Sequence, residues 1–225
     1  MDFDIDNILA MTYEEYIDSL FEKYGRVPCD YFTDSSFQKK NREIIRTEDG
    51  LWCHHIDEDK IPNLSSKPLR AYDAVRDPSE YQKAERLVYC NYIEHMLLHM
   101  KIFEKEIKKP YDEQNHYDVV GLGGFNTLAG KIDKLITFPR YYKRPYLISK
   151  MDEINYKRLD NNWITLYLMS IKYFVENIEN SLEFKSWSFG HQIGRSTLVH
   201  RIYRNHPINY NGIKTMEEYN QERCI

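Results

Sequence analysis

The chain has 225 residues, a formal net charge of −4, 42% hydrophobic side chains and 29% charged ones. That balance excludes a disordered polyelectrolyte and describes one large or two small globular domains in water. It argues against a uniformly basic nucleic-acid binder, although a net charge hides where the charges lie.

Seven acids (Asp2, Asp4, Asp6, Glu14, Glu15, Asp18, Glu22) and no Lys or Arg fall in the first 22 residues. Apolar and aromatic side chains at Leu9, Tyr13, Tyr16, Ile17, Leu20 and Tyr24 predict one helix over 8–24. Its acidic face is a solvated surface or a docking face for a basic partner protein. With these acids set aside, the rest of the chain is slightly basic. Asp49-Gly50 predicts a tight turn into a short strand, Leu51-Trp52-Cys53-His54-His55-Ile56. The polar, proline-punctuated 57–80 is expected to be an inserted loop, in which Asp57 and Asp59 are oxygen-ligand candidates, a charged loop tip being the preferred reading. Arg86-Leu87-Val88-Tyr89-Cys90 predicts a second strand, and Asn91 an N-cap for a helix over 92–107.

Gly121-Leu122-Gly123-Gly124 could cradle a phosphate, but no Gly-Lys-Ser/Thr follows, and a helix-start turn is the preferred reading. Helices are expected over 125–136 and 152–180. Between them, Arg140, Lys143, Arg144 and Lys150 interleave with Phe138, Tyr141, Tyr142 and Tyr146, a pattern suited to phosphate contact and base stacking. The 19 tyrosines otherwise suit half-buried positions. Neither a membrane-spanning apolar run nor a secretory leader pattern is found, so a cytoplasmic protein without a membrane partner is expected. Cys29, Cys53, Cys90 and Cys224 form no Cys-x-x-Cys pair and are expected to be reduced thiols.

Histidine carries the chemistry. His95 and His99 are four residues apart on one helix face, so both imidazoles can reach one metal ion. His54 and His55 are neighbours on a strand and point to opposite sides. A zinc protease would need His-Glu-x-x-His, but Glu94 precedes His95, so the order excludes it. No Gly-x-Ser-x-Gly elbow supports serine catalysis. A structural zinc site built from Cys53, His54 or His55, Cys90 and His95 is an alternative.

Cys53-His54-His55-Ile56, Arg86-Leu87-Val88-Tyr89-Cys90 and Glu94-His95-Met96-Leu97-Leu98-His99, in that order, resemble the HNH endonucleases, the ββα-metal family. The resemblance implies a mostly α, α+β fold carrying a small ββα-metal module. It implies His55 as the general base that activates water, and His54, His95 and His99 as ligands of one divalent ion. That ion would be Mg²⁺ first, with Mn²⁺, Ni²⁺ or Zn²⁺ as alternatives. Arg86 stands where the family has Asn and could clamp the scissile phosphate; Asn91 is the candidate for the loop-holding role. The implied activity is hydrolysis of nucleic acid, DNA before RNA. A non-catalytic nucleic-acid or protein-binding module with a structural metal is the alternative.

A second, shorter resemblance covers Gly194-Arg195-Ser196-Thr197-Leu198-Val199-His200-Arg201-Ile202. It is similar to the turn and recognition helix of resolvase-type helix-turn-helix domains, which would bring Arg195 and Arg201 to DNA. An ordinary amphipathic helix is the preferred reading there. The expected organisation is an acidic helical extension (1–47), the HNH-like module (48–107) and an α-helical C-terminal region (111–225).

Overall fold

The computed structural model describes residues 4–61, 64–65, 78–114, 120–137, 149–191 and 194–205. They are mostly helical, with one small antiparallel sheet, an α+β arrangement.

The helix expected over 8–24 is two. α1 (Ile5–Ala10) stops at Met11, and α2 (Tyr13–Tyr24) begins behind Thr12. Thr12 and Glu15 form a reciprocal capping box, in which each side chain accepts from the other's backbone N–H. That cap satisfies two donors a helix start would otherwise orphan, so it favours a new start over continuation. Tyr13, Tyr16, Ile17 and Leu20 of α2 are buried.

After an irregular stretch, Gly50 adopts φ +66°, a left-handed conformation that suits glycine, and turns the chain into β1 (Trp52–His55). β2 (Leu87–Cys90) pairs with it antiparallel, with Trp52 opposite Cys90 and His55 opposite Leu87. The sheet lies between two apolar clusters. Val88, Cys90 and Trp52 join the helices on one side, while Leu51, Cys53, Leu87 and Tyr89 join Val27, Tyr31, Phe32 and Leu64 on the other. Coverage on both faces explains why β2 reads as an unbroken apolar run. The connection between the strands is not wholly a solvated loop: Asp57, Asp59, Ile61 and Leu64 are buried.

α3 (Tyr92–Ile107) starts where expected, at Asn91. The Asn91 Oδ1 accepts from the N–H groups of Ile93 and Glu94, and the Glu94 carboxylate accepts from the Asn91 N–H. α4 (Leu122–Thr137) packs closely against α3, and its glycines are the reason. A Cβ on Gly121, which has φ +81°, would lie 2.6 Å from the His99 carbonyl oxygen and the Phe103 nitrogen. One on Gly124 would lie 2.5 Å from the His99 ring. The glycines therefore serve a helix start and a close helix approach.

The helix expected over 152–180 is also broken. α5 (Lys150–Arg158) ends at Leu159, and Asp160 caps α6 (Asn161–Tyr173) by accepting from the Trp163 N–H; a π-helical turn over Phe174–Ile178 follows. α7 (Leu182–His191) and α8 (Thr197–Asn205) complete the described chain. α8 buries Val199 and Ile202 and packs on α4 and α6, as an ordinary amphipathic helix does. Phe103, Phe125, Phe174 and Trp187 form the aromatic centre of the bundle, with the Phe125 and Phe174 rings stacked at 4.4 Å.

Because Asn91 caps the helix that carries two of the candidate ligands, Asn91→Ala is expected to cost about 1–2 kcal/mol of stability. A lower denaturant midpoint at unchanged slope is the expected result; an unchanged midpoint would show that Glu94 alone holds the helix start.

Candidate metal centre

His54 projects from β1 toward α3, and the i, i+4 pair His95 and His99 meets it from the helix. The His54 Nδ1 lies 3.1 Å from the His95 Nε2, which lies 3.1 Å from the His99 Nε2. The three ligand atoms all fall within 4.8 Å of one another, and this is the metal-capable group found among the described residues. Two nitrogens bound to one zinc ion at about 2.0–2.1 Å stand roughly 3.3 Å apart in a tetrahedral site, close to the spacing here.

Burial fixes the charge state of these rings. It pushes the His54 and His95 pKa values well below the usual imidazole range, helped by their mutual proximity, and pushes His99 down to about 4. All three are therefore neutral near pH 7, the form that binds metal. The tautomer of His54 follows from its neighbour. The Tyr13 hydroxyl donates to the Ile56 carbonyl at 3.0 Å, so its oxygen accepts from the His54 Nε2–H at 3.2 Å. His54 then presents a lone pair at Nδ1. His95 faces that lone pair and a second imidazole nitrogen with the same Nε2, and its own Nδ1 has no partner among the described residues. One shared proton cannot satisfy three converging nitrogens, whereas a cation can.

Two residues that sequence patterns did not single out stand against this group. Tyr13 comes from α2, far away in the chain. Glu58, in the turn after β1, places its Oε2 3.8 Å from the His54 Nδ1 and 3.9 Å from the His99 Nε2. Its side chain is 14% exposed, and burial pushes its pKa up to about 7. The flanking acids are not at an exposed loop tip, as expected from sequence. Asp57 is buried against Lys60 and, at 3.5 Å, Arg86, while Asp59 is buried against Lys105.

His55 points to the opposite face of β1, as alternation requires. It is fully enclosed, with its ring 4.3 Å from that of Tyr31, and its Nε2 lies 2.8 Å from the Gln82 Oε1. Gln82 donates its amide to the Leu64 carbonyl, so its oxygen accepts from the His55 Nε2–H. The His55 Nδ1 keeps a lone pair and has no partner among the described residues. Burial pushes the His55 pKa down to about 4. Arg86 is half-exposed beside Asp57, and Asn91 is enclosed, its oxygen used by the α3 cap.

The cysteine-containing zinc set is not assembled. Cys53 packs into the cluster around Leu64, and the Cys90 thiol donates to the Trp52 carbonyl at 3.8 Å. Of the expected nucleic-acid contacts, Arg140, Lys143 and Arg144 lie outside the described residues. Lys150 is half-exposed, 3.9 Å from Glu48; Arg195 donates to the Asn180 Oδ1; Arg201 is exposed on α8. The structure does not bring these three to the histidine group as contacts of it. Among the described residues no helix is long and apolar enough to cross a membrane. Comparison with known protein families, with curated proteins and with solved structures gives no significant match.

Tyr13→Phe removes the acceptor that selects the His54 tautomer while keeping the ring. It is expected to weaken binding of a divalent transition ion by about tenfold, measured by calorimetric titration. Unchanged affinity would mean that His54 is oriented without the hydroxyl.

Proposed function

We propose that this chain is a metal-dependent phosphodiesterase of the ββα-metal type acting on nucleic acid, with the ion held by His54, His95 and His99. The observation that carries the reading is the convergence of three neutral imidazoles. They come from a strand of an antiparallel pair and from the helix directly behind it, in the order the HNH resemblance implies. A bound ion would supply Lewis-acid stabilisation of charge on the phosphoryl group and the leaving oxygen. Three nitrogen donors suit Zn²⁺ or Ni²⁺ ahead of Mg²⁺ and Mn²⁺, which prefer oxygen ligands.

The remaining work falls to the chain's own groups. His55, whose Nδ1 is the nitrogen that Gln82 does not occupy, would accept the proton of the attacking water only once its enclosure opens, because it is fully buried on the face of β1 away from the histidine group. Its depressed pKa keeps it in the basic form at neutral pH. Arg86, the residue before β2, would contact phosphate, with Asp57 holding its guanidinium. Exposed Lys150 and Arg201 would add non-specific grip on a polyanion, DNA being the first substrate to test.

A second reading has its own supporting observation: the His54 side chain has no exposure and that of His99 only 13%. An ion so enclosed could staple α3 to β1 in a non-catalytic binding module. The two readings part on what metal removal does. The staple loses its fold, whereas the enzyme loses cleavage with its fold retained.

Incubation of the purified protein with plasmid, single-stranded DNA and RNA across Mg²⁺, Mn²⁺, Ni²⁺ and Zn²⁺ tests the proposal. Cleavage is expected with at least one transition ion. His55→Ala should keep metal binding but lose at least about 100-fold in rate. Its melting midpoint should also fall, because the substitution empties a fully enclosed site, so circular dichroism must first show the variant folded. His95→Ala should lose the ion. No cleavage under any condition would overturn the nuclease reading, and full activity in His55→Ala would remove His55 as base.

A further inference from the structure

Three consecutive acids follow the first strand, and their surroundings differ in one respect. Asp57 is buried and has Lys60 at 2.6 Å and Arg86 at 3.5 Å. Asp59 is buried and has Lys105 at 2.8 Å. Glu58 between them is nearly enclosed, yet among the described residues no Lys or Arg pairs with it. The groups it faces are the His54 Nδ1 at 3.8 Å and the His99 Nε2 at 3.9 Å, both beyond hydrogen-bonding distance and both on uncharged rings. Removing a carboxylate from water without a compensating charge is costly, so such a group takes up a proton or meets a cation.

A cation would have a place here. Atoms sharing one ion at bonds of about 2.0–2.2 Å are separated by about 3 Å when adjacent and a little over 4 Å when opposed. Both distances from the Glu58 oxygen fall inside that range, and the imidazole nitrogens themselves stand at 3.1 Å. Glu58 is outside the group whose ligand atoms all lie within 4.8 Å of one another, so its side chain must turn further toward His95 to complete a shared site. Backbone geometry holds Glu58 there: its N–H donates to the His55 carbonyl, and the Lys60 and Ile61 N–H groups donate to the Asp57 carbonyl, closing the turn beneath the histidines.

We propose that Glu58 is the fourth protein ligand, so that the chain offers three imidazole nitrogens and one carboxylate oxygen to a single transition-metal ion. The inference rests on the His54–His95–His99 centre proposed above and adds to it. One negative charge offsets half of the ion's charge, leaving a net positive centre able to attract a phosphate oxygen. The ligand set then spans α3, β1 and the turn after β1. The carboxylate is the ligand able to shift between one-oxygen and two-oxygen coordination when a substrate oxygen arrives.

Cobalt(II) titration of the chelator-stripped full chain tests this, because its visible absorption reports ligand number and type without any assay of activity. The wild type is expected to bind one Co²⁺ per chain with a ligand-field spectrum. Glu58→Gln keeps the shape but removes the charge, and should bind about 10–100-fold more weakly, with a changed spectrum. Glu58→Asp should fall between the two, and circular dichroism checks that each variant is folded. Wild-type affinity and spectrum in Glu58→Gln would overturn the role of Glu58 while leaving the three-histidine centre standing. Absence of Co²⁺ binding by the wild type would overturn both. Loss of nuclease activity with the spectroscopy as expected would overturn only the catalytic reading.

Discussion

The position of the candidate centre depends on one buried carboxylate, that of Glu94. It accepts from the Asn91 N–H, from the Lys23 ammonium at 2.6 Å and from the Tyr24 hydroxyl at 2.8 Å. The first contact starts α3 directly behind β2, and the other two bind the end of α2 to that same turn. With only 3% of its side chain exposed, Glu94 would be a costly charge without Lys23. The payoff is angular: His95 is the next residue and His99 lies one turn on, so the helix phase set at Glu94 aims both rings at β1. The same anchoring brings α2 alongside, which is how Tyr13 reaches His54.

A second neighbour of α3 imposes a different constraint. α4 approaches so closely that no side chain fits at Gly121 or Gly124. Gly124 lies against the His99 ring, and that packing removes water from the ring's flank. Desolvation, rather than any neighbouring charge, is the leading reason that all three imidazoles are held neutral. Helix packing therefore prepares the donor atoms chemically as well as spatially.

What could be read from the sequence was what is local. The two strands, the Asn91 cap and the i, i+4 histidines each occupy a few consecutive residues, and alternation along β1 correctly separated His54 from His55. The breaks at Thr12 and Asp160 are also local: Thr12 with Glu15 three residues on is a capping-box pattern. Apolar periodicity running across them concealed both, because side chains on each piece still face one core. Tyr13 and Glu58 were illegible for another reason. Nothing near Tyr13 indicates that it will meet a residue 41 positions away. Glu58 looks like its neighbours until Lys60, Arg86 and Lys105 are seen to have been taken by Asp57 and Asp59. The cysteines misled in the same way, since Cys53 and Cys90 are near in sequence to histidines that the sheet turns away from them or leaves to other partners.

Net charge takes on a different meaning once the contacts are known. The acidic N-terminal segment reads as a solvated surface or a face for a basic partner protein, but part of it is used within the chain. Glu15 completes a helix cap, and Glu14 shares the Lys105 ammonium with Asp59. An exposed pair such as Glu14–Lys105 contributes at most about 1 kcal/mol. Asp59 is 7% exposed at its side chain, so its half of the bridge is less screened. That one ammonium joins α2, the turn after β1 and α3, which are the segments that supply Tyr13, Glu58 and His99. The overall charge of −4 thus does not describe the exposed surface. Some acids are already matched inside the fold, and the net value still counts them.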